Sequence, residues 1–140
     1  MSWFLTPVER SHFISEIIPL FYPRRKPILP GSIHSDHAHD LALLFGLFAC
    51  GAVGDLTQDP VNDEAARYHV LARAALGVKN IMHGASLNGV QAIFLLAAYD
   101  VYTGEKTSQE DAWKMVTLGS SMAVAVSGSG VSEACSIADY

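Results

Sequence analysis

Apolar positions recur at helical spacing in four stretches of this chain and fuse into one uninterrupted run in a fifth. The run is Leu41 to Val53 (LALLFGLFACGAV), thirteen consecutive apolar or glycine residues bracketed by Asp40 and Asp55. A bilayer span takes about 20 such residues, so the run predicts a helix buried in a protein core and no membrane span. Downstream, Ala65, Tyr68, Leu71, Ala72, Ala75 and Leu76 line one face of a helix that starts near Asn62, with Asp63 and Glu64 complementing its dipole. Leu87, Val90, Phe94, Ala97, Ala98 and Val101 hold the period of the next, capped by Ser86 and ending at Gly104. Trp113, Val116, Leu118 and Met122 mark a last helix opened by Thr107 or Ser108. At the start of the chain Val8, Ile14, Ile17, Ile18 and Phe21 form a stripe. Thr6 reads as its cap, Pro7 as its first residue and Glu9 as the close of a capping box, with Pro19 disturbing its end.

The breaks between these stretches are chemically plain. Pro23, Pro27 and Pro30-Gly31 make a stiff connection, and Ser35 or Asp36 can cap the buried helix. Gly54-Asp55 and Asp59-Pro60 form the next break, and Gly77 suits the residue after a helix end. Ser127-Gly128-Ser129-Gly130 reads as flexible. No alternating run bounded by hairpin turns occurs. The expected fold is all-α, an array of about five antiparallel helices. The expected organisation is an N-terminal helix and proline-rich lead-in over 1–33, a helical domain over 34–126 and a flexible tail over 127–140.

Composition narrows the function classes. With 140 residues, 50% hydrophobic and 16% charged, the chain is one globular domain and not a disordered segment. Nine basic side chains stand against fourteen acidic, a net charge of -5, which argues against gripping nucleic acid without help. The balance is uneven: residues 1–26 carry four basic and two acidic groups, and the remainder carries five and twelve. Two cysteines, Cys50 and Cys135, build neither a disulfide framework nor a multi-cysteine metal cluster. The opening Met-Ser-Trp-Phe-Leu-Thr-Pro lacks the pattern of a secretory signal.

Site-type residues are densest at His34, Asp36, His37, His39 and Asp40. Imidazoles and carboxylates in this number can hold zinc or a similar ion, but Pro30-Gly31-Ser32 upstream offers no fixed scaffold. A solvated loop leading into a helix N-terminus explains the same residues. Gly84-Ala85-Ser86-Leu87-Asn88 fails the nucleophile-elbow pattern at its last position, and no Walker lysine is present. Cys50 sits in the apolar run as a buried, inert thiol. His69 and His83 stand alone, as surface or packed histidines, and Tyr68, Tyr99, Tyr102 and Trp113 fall at the spacing of core aromatics. Arg24, Arg25 and Lys26 form a compact basic run between prolines, a minor nuclear-import signal or a solvated linker. None of this makes an enzyme, and no cofactor is expected in this chain.

Three stretches, in this order, carry a resemblance. They are His39 to Ala52 (HDLALLFGLFACGA), Ala65 to Leu76 (AARYHVLARAAL) and Ser86 to Tyr99 (SLNGVQAIFLLAAY). The last is followed by Tyr102-Thr103-Gly104 and Ala112-Trp113-Lys114-Met115. Together the segment resembles the fungal-specific transcription factor domain, the middle homology region of zinc binuclear cluster regulators. The resemblance implies an all-α regulatory domain in a nuclear protein, with Val90, Gln91, Phe94, Tyr99 and Trp113 in packing roles. It also implies that zinc and DNA contact belong to a six-cysteine module that this chain lacks. After Val126 the chain departs from the family pattern. The resemblance therefore suggests a truncated product or gene model, an incomplete helical domain whose exposed apolar patch would favour protein partners or self-association. The competing readings are a helical scaffold binding a peptide or protein and, last, a small metal enzyme built on His34–His39. Against the scaffold, the helices share no recurring word at a fixed period.

Overall fold

A computed structural model describes residues 8–22, 37–55, 57, 59, 62–79, 84, 86–104 and 106–137, with side-chain surroundings throughout except at 106–108 and 129–137. The fold is all-α. Five helices follow one another: α1 over 10–21, α2 over Ala38–Val53, α3 over Asp63–Val78, α4 over Leu87–Thr103 and α5 over Lys106–Ile137. No strand occurs among the described residues, and no helix there is long and apolar enough to cross a membrane.

The centre is the pair α2 and α4. The apolar run lies in α2, which packs against α3 on one side and α4 on another. A helix that is apolar all round has to be covered all round, and here Ala42, Leu43, Leu44 and Ala49 are almost wholly removed from solvent. Next to α2, α4 contributes Ala92, Ile93, Leu95, Leu96 and Ala97. The backbones approach closely at Gly46, where an added Cβ would stand 3.4 Å from the Leu95 Cβ. Cys50 donates its thiol proton to the Leu95 carbonyl at 3.3 Å. His39 meets Ser86 at the helix starts, and Ala49 meets Tyr99 towards the ends. The two helices therefore run parallel.

Parallel packing follows from two antiparallel hairpins laid side by side. In the first, α2 turns back into α3, where the Asn62 amide donates to the Ala52 carbonyl at 3.2 Å and Tyr68 stacks on Phe45 and meets Phe48 at a tilt. The Asn62 side chain also caps α3, accepting from the Ala65 N–H at 2.7 Å. In the second, α4 turns back into α5 through Gly104, whose φ of +71° suits only glycine without strain. That turn lets Gly119 of α5 come so near α4 that a Cβ would stand 3.2 Å from Ile93 Cγ2. Ile17 and Phe21 of α1, with Val8 before it, join the same core.

Three local expectations, the start of the first helix, Gly77 and Ser127, are corrected. The first helix begins at Arg10 with Glu9 at its cap position; Thr6 and Pro7 lie outside the described residues. It also opens into a π-helical turn over Phe13–Ile17. Pro19 has no N–H to donate and its ring crowds the Ser15 carbonyl, which a wider turn relieves. Gly77 lies within α3, which runs to Val78. Finally, the chain does not loosen at Ser127: α5 continues as helix through Ile137. The hydroxyl of Ser127 bonds back to the Ala123 carbonyl at 2.9 Å, replacing the solvent it would otherwise seek.

Leu43 and Trp113 should separate core from surface cleanly. Leu43 is fully buried and Trp113 is 73% exposed. Leu43→Ala is expected to cost about 2–5 kcal/mol in urea unfolding, and Trp113→Ala, measured in dilute solution, less than about 0.5 kcal/mol.

Candidate functional site

The parallel register of α2 and α4 brings their N-termini together, and with them the polar residues each start carries. Ser86 caps α4, its Oγ accepting from the Gly89 N–H at 3.1 Å. The same oxygen lies 2.6 Å from His39 Nδ1 on the first turn of α2. Beside it the Asn88 amide donates to Asp40 Oδ1 at 2.6 Å, and Asp40 Oδ2 pairs with His37 Nδ1 at 3.3 Å. The result is a polar clasp of His37, His39, Asp40, Ser86 and Asn88 that ties the two helix starts.

His39 is the tightest part of the clasp. It is 2% exposed, and its Nε2 is buried with no hydrogen-bond partner. Burial holds its pKa below the ordinary value, Lys79 pushes the same way, and Asp40 opposes them. The imidazole is thus kept neutral. Gly89 leaves room for it: a Cβ there would stand 3.0 Å from His39 Nδ1 and 3.2 Å from Ser86 Oγ. Ser86 and His39 together resemble half of a nucleophilic pair. The serine oxygen also accepts the helix N–H, so the pair ties the two helix starts together.

A second polar pair lies near the other end of α4. His69 Nε2 of α3 is 3.2 Å from Asp100 Oδ1, and its ring stacks on Tyr99 with centroids 4.3 Å apart. Asp100 is 3% exposed and its Oδ2 is buried without a hydrogen-bond partner. One turn further along α3, Arg73 reaches within 4.0 Å of Asp111 on α5. So α3 meets the α4–α5 hairpin through a polar seam as well as apolar contact.

The sequence-derived candidates distribute as follows. His37, His39 and Asp40 come together, but with Ser86 and Asn88 as partners. His34, Asp36 and His83 lie outside the described residues, as do Arg24, Arg25 and Lys26. Among the described residues no group of three or more histidines, cysteines or acids is placed to hold a metal ion. Val90 and Tyr99 are buried, Gln91 half-buried, and Phe94 packs against the main core. Trp113 is the correction: α5 turns Ala112 inward, and the indole one position on stands in solvent. Tyr102 is likewise exposed. Cys50 is half-buried, with burial pushing its thiol up to about 11, far from a reactive thiolate. The His69–Asp100 pair was missed because its members are 31 residues apart and neither sits in a motif. No protein family, curated protein or solved structure matches this chain.

Two expectations follow. Alanine at Gly77, where a Cβ meets nothing, should stabilise by up to about 1 kcal/mol. Gly89→Ala should instead destabilise by about 1–3 kcal/mol, because the methyl displaces His39 from Ser86, and urea unfolding of both variants reads the contrast. The depressed His39 pKa gives a pH slope of definite sign. Protons bind the unfolded histidine first, so the stability it confers is full above about pH 6.5 and is lost as pH falls from there to the lower folded value. Thermal melts between pH 7.5 and 5 should fall accordingly, with part of the slope absent in His39→Gln.

Proposed function

We propose that this chain is a non-enzymatic regulatory module of a transcription regulator, of the kind found as the middle region of fungal zinc cluster proteins. It acts in the nucleus through protein contacts, and DNA is reached only through a module outside this chain. The observation that carries the reading is the place of the SLNGVQAIFLLAAY segment. It forms the start and middle of α4, the helix with α2 on one side and α5 on another. The stretches that carry the resemblance therefore supply most of the core, with Val8, Ile17, Phe21 and Met122 completing it. The acidic balance of the chain agrees with a domain that does not itself hold phosphates.

A second reading, a scaffold for a peptide or protein partner, is favoured by one feature. Val70 and Leu71 stand exposed on α3 beside Arg67 and Asp63, lining a shallow surface groove.

The test is to tether the full chain to an unrelated DNA-binding domain above a reporter gene. A severalfold change in expression, up or down, is the expected outcome. A reporter that does not respond, at matched levels of nuclear fusion protein, overturns the regulatory reading. A complex of the isolated chain with duplex DNA at physiological salt overturns the claim that it works without touching DNA.

A further inference from the structure

We infer that the outer face of α5 pairs with the same face of a second copy of this chain, in antiparallel register. The inference stands on α5 alone and does not depend on the regulatory reading.

The outward face of a solvated helix normally carries charges. From Met115 to Ser132 this chain has none, over eighteen residues. The exposed positions Trp113, Thr117, Ser120, Val124 and Ser127 recur at intervals of four and three, which is one continuous face. Trp113 and Val124 are each 73% exposed.

The hydroxyls on this face are already satisfied. Thr117 donates to the Trp113 carbonyl at 2.9 Å, Ser120 to Val116 at 2.8 Å and Ser127 to Ala123 at 2.9 Å. Covering them therefore strips no unpaired donor of its water, and the face behaves as an apolar one. Beside it Trp113, Lys114, Thr117, Leu118 and Ser121 line a shallow groove that a neighbouring ridge can enter.

The choice of a second copy rests on the order of large and small residues. Turned end for end about a point between Ser120 and Ser121, the helix meets itself with complementary sizes. Trp113 faces Gly128, where a Cβ would meet nothing within 4 Å. Thr117 faces Val124, and the two small serines cross at the axis, where backbones must come closest. Parallel pairing would instead set indole on indole, repeat Glu110 and Asp111 against themselves and align the helix dipoles. Over 113–128, where the side chains of both helices are described, the antiparallel overlap is about 24 Å at 1.5 Å per residue. Half the surface of a helix about 11 Å across over that length is on the order of 400 Å² per copy, about half the ~800 Å² per partner of a stable interface, so the pairing is a weak, concentration-dependent one.

Sedimentation equilibrium of the full chain over about 1 µM to 1 mM tests this, with Val124→Glu and Thr117→Glu as variants. Both positions are exposed, and thermal melts confirm folding. A concentration-dependent dimer is expected, with its dissociation constant raised at least about tenfold in each variant, since either carboxylate would lose its water on association. In a background of Cys50→Ala and Cys135→Ser, Ser120→Cys should cross-link the dimer and Trp113→Cys should not. A chain that stays monomeric throughout, or a dimer indifferent to both glutamates, overturns the proposal. Cross-linking through position 113 and not 120 overturns its antiparallel register.

Discussion

The close parallel packing of α2 on α4 is the constraint from which the other contacts follow. It depends on small residues where the backbones meet, Gly46 and Ala49 on one side and Ala92 on the other. Interiors pack at crystal-like density, so a contact this near admits few side-chain arrangements. Once α2 and α4 are set side by side, their N-termini coincide, and each helix start brings the polar groups that helix starts favour. The clasp of His39, Asp40, Ser86 and Asn88 is thus a consequence of register. Its hydrogen bonds tie residues 47 and 48 positions apart and punish any slippage between the helices, because a one-turn shift would leave buried polar atoms unpaired.

This division of labour explains why chemistry-bearing residues accumulate here without forming an evident reactive site. Ser86 serves as a cap first, since four N–H groups at a helix start need acceptors. His39 is close enough to share the serine oxygen, and burial keeps it uncharged. Asp40 lies in the first turn of α2, where a carboxylate suits the dipole, and Asn88 bridges to it from α4. Each group has a structural task. The remaining cost, the unpartnered His39 Nε2, is carried by the apolar packing around it.

Much of this was legible in the sequence. The buried character of α2, the caps Asn62 and Ser86, and the turn at Gly104 are local signals, and local signals survive folding. The clasp was half legible: the histidines and Asp40 stood out as a cluster, but Ser86 and Asn88 become their partners only through the α2–α4 register, which no local pattern encodes. Trp113 was misread because helical spacing fixes which residues share a face and not which face turns inward. Its neighbour Ala112 takes the inward position, since α5 has to come close to Ile93 at Gly119. The tail was misread for a related reason. Ser-Gly-Ser-Gly has low helix propensity, yet propensity is a weak prior once a long helix is already nucleated and Ser127 bonds back to the turn before.

The two hairpins are held to one another in unequal ways. Between α2 and α4 the contact is apolar and close, with its polar groups gathered at one end. Between α3 and the α4–α5 hairpin, the His69–Asp100 pair is buried and the Arg73–Asp111 pair lies partly in solvent. Buried polar groups contribute only where their hydrogen bonds are made in good geometry, while an exposed ion pair contributes little. Asp100 keeps one carboxylate oxygen without a partner, so the geometry of this seam is not ideal. Tyr68 against Phe45 and Phe48, and Ala65 against Ala49 and Tyr99, supply the apolar part that holds α3 in place. It follows that α3 owes its position chiefly to α2. The polar groups along its inner edge then select how it is turned about its own axis: rotated by one residue, His69 would lose Asp100 and Arg73 would lose Asp111 together, while much of the alanine-rich contact with α2 would remain.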